Sequence, residues 1–431
     1  MAQSSLGGMV KSPELSKRIL FSIAMIAIYR VGVFVPTPGI NVDALQKFFA
    51  KGTVFDIFNL FSGGALQQFS VFALGIMPYI SASIILQLLT VSIPSLQKLS
   101  KDGDYGRKKI TQYTRYGTVV LSLIQGFGIS YGLKQQGVVL PGSSGLGFYV
   151  LTVLTLACGT AFIMWLGEQI SERGIGNGIS LVIFSGIVAR IPAAFRDVWS
   201  TQGLIGFLLV LAFVFGVIFI VIYFERSQRR IPIHYAKRIV GRKMFGGQTA
   251  HLPLKLNMAG VIPPIFASSL ILFPATIAQF SHVEFAQRLS VFLSQGWFHD
   301  TLYVTLIIFF AYFYTAVTFN PLDVADNLKK NGGYIPGIRP GKATADYIDL
   351  ILSRLTLGGG LYIAGICILP SLLLSQFGIP GSLIATFGGT SILIVVGVAM
   401  DTVAQMESHL LSRNYEGFLG GKSGRFKGRR S

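Results

Sequence analysis

Charge is what this chain has least of. Only 13% of its 431 residues are Asp, Glu, Lys or Arg, against 52% hydrophobic ones. A soluble domain needs a larger polar share to cover its surface, so the composition marks an integral membrane protein. Acids are scarcer than bases, 18 against 36, and the net charge is +18. Cysteine is nearly absent: Cys158 and Cys367 both lie in apolar segments, which excludes a disulfide framework. The five histidines show no ligand spacing, so no metal or other cofactor is expected. There is no G-x-x-x-x-G-K-[ST] phosphate loop and no nucleophile–base constellation. The chain is therefore not expected to be an enzyme, and any driving energy must come from a partner. No cleavable leader is expected either, because residues 1–16 are polar and small and the first apolar run starts at Ile19.

What the chain does have is long apolar runs. A span needs about 20 mostly apolar residues. Such runs fall at 19–35, 72–93, 116–133, 148–167, 179–195, 203–224, 256–280, 301–319, 355–374 and 382–400. That predicts an all-α protein of ten transmembrane helices with both termini on one side. Of the 36 basic residues, 29 lie on that side, six on the other, and Arg30 lies inside a span. Basic residues mark the cytoplasmic face, so both termini are expected there. The resulting division is a cytoplasmic N-terminus at 1–18, spans one to five over 19–200, spans six to ten over 201–405, and a basic tail at 406–431. Two halves of five spans enter the membrane in opposite senses, an arrangement of inverted repeats that places a pathway at their interface.

Titratable groups are almost missing from mid-membrane. Arg30 and Arg190 lie near span ends, and Glu168, Glu225 and Asp401 lie just beyond them. Ion-coupled transporters and voltage sensors bury such groups because those groups carry the coupling. Their scarcity disfavours that class.

One stretch breaks the pattern: DIFNLFSGGALQQFSVFALGIMPYISASIILQLL, residues 56–89. Residues 57–66 would form a helix of only about 15 Å, half the hydrocarbon core, ending in a polar Ser-Gly-Gly break. Lipid does not tolerate the carbonyls such an end leaves open, whereas a protein-walled cavity does. The segment therefore either re-enters the interior or lies as a helix on the outer membrane surface. Ile76, Ile80 and Ile84 follow at spacing four, and Ile179, Ile183 and Ile187 repeat the device in the fifth span. Such stripes pack or face lipid; small polar neighbours such as Ser83, Gln87, Ser185 and Gly186 suggest that the other faces of these helices contact protein or water. In the seventh span, Pro263 and Pro264 should bend the axis, making either a kinked span or a movable gate.

Two basic segments stand out. The 225–255 loop has eight Lys/Arg against one acid. Topology alone explains positive loops; the alternative is a surface for a phosphate backbone, with Arg229, Arg230, Lys237, Arg238, Arg242 and Lys243 among His234, Tyr235 and Phe245. At 331–342, NGGYIPGIRPGK, two prolines and flanking glycines hold Arg339 out on a stiff turn.

Taken in order, FSGGALQQFSVFALGIMPYISASIILQLL, DGDYGRKKITQYTRYG, WLGEQISERGIGNGIS, HLPLKLNMAGVIPPIFASS, FNPLDVADNLKKNGGYIPGIRPGKAT and GGTSILIVV resemble the SecY family of bacterial translocase channel subunits. The likeness runs from about residue 13 to 417. It implies ten helices in two pseudo-symmetric inverted halves around a central hourglass pore, closed by a re-entrant plug helix over 53–68. By that likeness the plug centres on Phe58, Asn59, Phe61, Ser62, Gly63 and Gly64. The pore ring falls on Ile76, Ile80, Ile183, Ile187, Ile265 and Ile394, and the lateral gate on Ser83, Gln87, Asn257, Ser268 and Ser269. The family also implies a bacterial inner-membrane location and SecE-like and SecG-like small subunits. Further partners are the SecA motor, the ribosome and its RNA, signal sequences, nascent chains and lipid. Arg339 matches the family's central loop arginine. Pro264 stands where the family pattern has a small non-proline residue, and 280–300 and 418–431 match nothing. Beside a partner-driven polypeptide channel, a small-solute transporter and a ribosome-docking scaffold are the competing functions; the missing buried charges disfavour the first competitor, and the half-helix disfavours the second.

Overall fold

The computed structural model describes residues 13–41, 45, 59, 62–135, 138–140, 145–235, 238–240, 243–245, 249–279, 292, 296–376 and 387–420. In chain order the helices are α1 (Pro13–Val33), α2 (Met77–Ser92), α3 (Pro94–Lys101), α4 (Gly103–Gln135), α5 (Leu146–Arg173) and α6 (Gly178–Arg226). Strands β1 (Gln228–Tyr235), β2 (Arg238–Val240), β3 (Lys243–Phe245) and β4 (Thr249–Lys255) follow. Then come α7 (Ile262–Gln279), α8 (Trp297–Thr318), α9 (Pro321–Lys330), β5 (Gly333–Tyr334), α10 (Lys342–Gln376) and α11 (Gly389–Gly420).

Each of the ten expected spans falls on one of these helices. Among the described residues, six helices are long and apolar enough to cross a membrane, or seven with the pair α2 and α3, which are bent by 100° at Ile93. Helix α6 has 49 residues, about 74 Å at 1.5 Å per residue, and so serves as two of the expected spans. Its break is at Gly203, whose φ of +65° and ψ of −166° interrupt the ladder between the fifth and sixth spans.

Two expectations need correction. Pro263 and Pro264 do not bend a continuous helix. Helix α7 starts at Ile262, which places both prolines in its first turn, where the backbone N–H has no helical acceptor to lose. The basic 225–255 loop is also not a loop. Strand β1 pairs antiparallel with β4, Ile231 opposite Leu252 and Arg229 opposite Leu254, and its other edge pairs with β5, His234 opposite Tyr334. Strands β2 and β3 form a separate two-stranded ribbon, Arg238 opposite Phe245. The alternation that makes β1 a strand is Ile231 and Ile233 buried, Arg230 and Pro232 exposed.

The chain forms two compact units: Met1–Ala82 with Thr114–Ala193 and Ile394–Ser431, and Ser83–Tyr113 with Ala194–Leu393. In the first, α1 packs on α5. A ladder of rings, Tyr29 on Phe72 on Phe162, each pair 5.9 Å apart, joins α1, the segment before α2, and α5. The turn between α5 and α6 is pinned from two sides. Ser22 Oγ accepts from Ile175 N at 3.0 Å, and Gln405 Oε1 accepts from Gly176 N at 3.0 Å.

In the second unit, the sheet rests on α9 and α10. Ile231, Ile233 and Leu254 of the sheet meet Leu328, Ile335, Ile348, Ile351 and Leu352 in one buried cluster. Asn320 caps α9, its Oδ1 accepting from Leu322 N at 3.1 Å with Pro321 at the first helical position.

Candidate functional site

The polar break is a braced turn. Residues 62–69, which hold the expected polar break, form consecutive turns; Asn59 is helical, and the rest of the expected half-helix ahead of the break, Phe58 and Phe61 included, lies outside the described residues. Gly63 at φ +65° and Gly64 at φ +94° account for the turns, because that region of backbone space breaks a right-handed helix and costs a residue with a Cβ. Asn59 holds the turn closed: its Oδ1 accepts from Gln67 N at 3.1 Å, its Nδ2 donates to Gln67 Oε1 at 3.3 Å, and its carbonyl accepts from Gly64 N at 2.9 Å. Ser62 Oγ accepts from Leu66 N at 3.3 Å.

This turn sits against the fifth span at Gly186. A Cβ on Gly63 would stand 2.7 Å from the Cα of Gly186, which lies between Ile183 and Ile187 on α6. The turn is also fastened to α1. Tyr29 Oη donates to the Ser62 carbonyl at 3.0 Å, and Arg30 Nη1 donates to the Gly63 carbonyl at 3.0 Å. Sequence reasoning missed Tyr29 as a partner of the break. The available signal was Arg30, one of two basic residues, with Arg190, within the expected spans.

Five of the six expected ring residues are buried within the first unit: Ile76, Ile80, Ile183, Ile187 and Ile394. The sixth, Ile265, is half-buried in the second unit. Its carbonyl accepts from Ser268 Oγ at 2.9 Å and from Ser269 Oγ at 2.8 Å. Both serines, expected as gate lining, thus turn their hydroxyls back onto their own helix, the bonding pattern that bends helices. Gln87 donates from Nε2 to Ser83 Oγ at 3.3 Å one turn along α2, and its Oε1 is buried without a hydrogen-bond partner. Asn257 is buried and is engaged by its own neighbourhood, donating to Glu225 Oε1 at 2.6 Å and to the Gly260 carbonyl at 3.1 Å.

Among the basic residues, Arg229 and Arg230 are exposed on β1, and Arg339 is exposed on the turn after β5. That turn is stiff for stated reasons: Ile335 is buried, Ile338 N bonds the Ile335 carbonyl at 3.1 Å, and Thr344 Oγ1 bonds the Arg339 carbonyl at 2.9 Å. His234 stacks on Tyr334 at 6.0 Å, adding an aromatic platform beside the arginines. Arg238 and Lys243 lie on β2 and β3; Lys237 and Arg242 lie outside the described residues. No group of three or more His, Cys, Asp or Glu among the described residues could hold a metal ion.

The SecY family model matches residues 70–403. The chain is similar to the protein translocase subunit SecY of Escherichia coli (strain K12), 51% identical over 97% of this chain and 96% of that one. The counterpart of the same description from Pseudomonas aeruginosa is 50% identical over 94% and 93%. Among solved structures, one described as "The structure of a protein conducting channel" superposes with a TM-score of 0.66 at 18% identity, covering 95% of this chain and 94% of that one. Another, "Sec61 in the Canine ribosome-channel complex from the endoplasmic reticulum", gives 0.62 at 16%, with the same coverage. At those identities the structures speak for the fold alone.

Proposed function

The chain belongs to the SecY family, and from that premise we propose that it is the channel-forming subunit of a protein translocase. It passes unfolded secretory polypeptides across the plasma membrane and releases transmembrane segments sideways into the bilayer. The observation that carries the reading is the seat of the polar break. A turn that cannot face lipid is packed at Gly63 against Gly186, on the helix that carries Ile183 and Ile187. That is where a stopper belongs if the isoleucines form an apolar constriction, which excludes ions by dewetting while its side chains yield to a passing chain. The burial of Ile76, Ile80, Ile183, Ile187 and Ile394 supports the same assignment over a lipid-facing one. Ile265 joins the ring on the family pattern alone, as Ser83, Gln87, Asn257, Ser268 and Ser269 join the lateral gate.

Both termini and the exposed arginines then face the cytoplasm, consistent with 29 of the 36 basic residues lying on that side. Arg229, Arg230 and Arg339, with the β2–β3 ribbon, are the docking surface for the SecA motor or the ribosome. SecE-like and SecG-like subunits complete the assembly. The test is ion flux through proteoliposomes holding the assembled translocase, with and without residues 62–66. The deletion is expected to leak ions at rest; an equally tight membrane overturns the stopper.

A further inference from the structure

The stopper is not held by packing alone. Two consecutive residues at the end of α1 donate to two consecutive carbonyls of the turn: Tyr29 Oη to Ser62 and Arg30 Nη1 to Gly63, both at 3.0 Å. The donors themselves are fixed. Tyr29 is 1% exposed and stacks on Phe72, and the Arg30 guanidinium stands 5.8 Å over the ring of Phe34. The Ser62 carbonyl also accepts from Ala65 N at 3.3 Å inside the turn, and partial burial makes a lost bond at either carbonyl costly. The Arg30 bond is charge-assisted, hence the stronger of the two. Gly186 closes the same corner: a Cβ on Gly63 would stand 2.7 Å from the Gly186 Cα, 3.0 Å from Arg30 Nη1 and 3.3 Å from Tyr29 Oη.

We infer that Tyr29 and Arg30 are positioning residues that latch the stopper in its closed seat and so set how strongly a substrate must push to open the channel. The inference rests on the stopper reading above. Displacing residues 62–63 breaks both bonds at once, whereas the braces inside the turn, Asn59 to Gln67, travel with it. The latch is therefore the part of the contact that opening must overcome.

The experiment uses the assembled translocase in proteoliposomes, with resting ion flux and transport of precursors bearing intact or defective signal sequences as readouts. Tyr29→Phe keeps the ring stack and removes only the donor. Arg30→Gln removes the charge and Arg30→Lys retains it. Tyr29→Phe and Arg30→Gln are each expected to raise resting flux about tenfold, the effect of one buried hydrogen bond, and to admit the defective precursor. Arg30→Lys is expected to restore most of the seal. A fall in transport of the intact precursor with no rise in flux is the mark of a merely structural role and overturns the latch. Leakage in a variant lacking residues 62–66 but not in Tyr29→Phe or Arg30→Gln also overturns the latch while leaving the stopper standing. A tight membrane in all of them overturns both.

Discussion

The side-chain amide of Asn257 meets the carboxylate of Glu225 at 2.6 Å, joining the end of α6 to the approach of α7. The same Nδ2 donates to the Gly260 carbonyl at 3.1 Å, and Oδ1 accepts from Gly260 N at 2.9 Å. One amide thus supplies a donor to the carbonyl that Pro264, lacking an N–H, cannot serve. Glu225 in turn sits in the last turn of α6, where the helix dipole disfavours an anion.

Removing this amide should loosen the start of α7. Asn257→Ala is expected to cost about 1–3 kcal/mol, because it leaves the part-buried Gly260 carbonyl and the Glu225 carboxylate short of a donor. Asn257→Asp should cost more, since it sets a second carboxylate against Glu225. Thermal unfolding of the detergent-solubilised translocase measures both; melting points equal to the wild type for both variants refute the bond.

The proposed isoleucine ring makes a functional prediction of opposite sign to a lipid-facing stripe. Ile80 is 5% exposed and Ile394 0%. Asn at either position wets the constriction, so Ile80→Asn and Ile394→Asn should conduct ions at rest and accept weakened signal sequences. Stability should fall by about 1–3 kcal/mol for burying an amide. Single-channel recording of the two variants decides it, a silent resting channel in both being the adverse result.

Gly63 and Gly64 separate backbone strain from contact. Both have positive φ, +65° and +94°, but only Gly63 has a neighbour in the way of a Cβ. Alanine at either position costs about 1 kcal/mol in strain. Gly63→Ala must also push against the backbone of Gly186, so it alone should unseat the turn. Resting flux is expected to rise clearly in Gly63→Ala and little in Gly64→Ala. Equal flux in the two would remove the Gly186 contact from the account.

Arg339 stands exposed on a turn anchored by Ile335 and Ile338. A charge reversal there touches no core, so Arg339→Glu should change stability by less than about 0.5 kcal/mol. It should nonetheless block transport driven by the SecA motor or the ribosome, because it removes the proposed docking cation. Normal insertion of the variant with lost secretion is the expected pair of results. Normal secretion rejects the role.

Much of the architecture is local information. A run such as 148–167 is a span because its residues are apolar over the needed length, whatever it packs against. The break at 62–64 is equally local: two glycines in a row after a serine end a helix on conformational grounds. Strand β1 was legible in principle, since Ile231 and Ile233 alternate with Arg230 and Pro232, but the dense basic charge hid a pattern only a few residues long.

Composition and spacing by themselves determined that this chain spans a membrane, where it does so, where the spans break, and which isoleucines share a helix face. Only the tertiary structure decided what those pieces touch. Tyr29 and Ser62 are 33 residues apart, and no period in the sequence pairs them. Nor does the sequence say that Pro263 and Pro264 open a helix rather than bend one; that follows from where Asn257 and Glu225 hold its start. Helical propensity and hydropathy are set residue by residue along the chain, whereas a hydrogen bond between distant segments exists only once packing has chosen which faces meet.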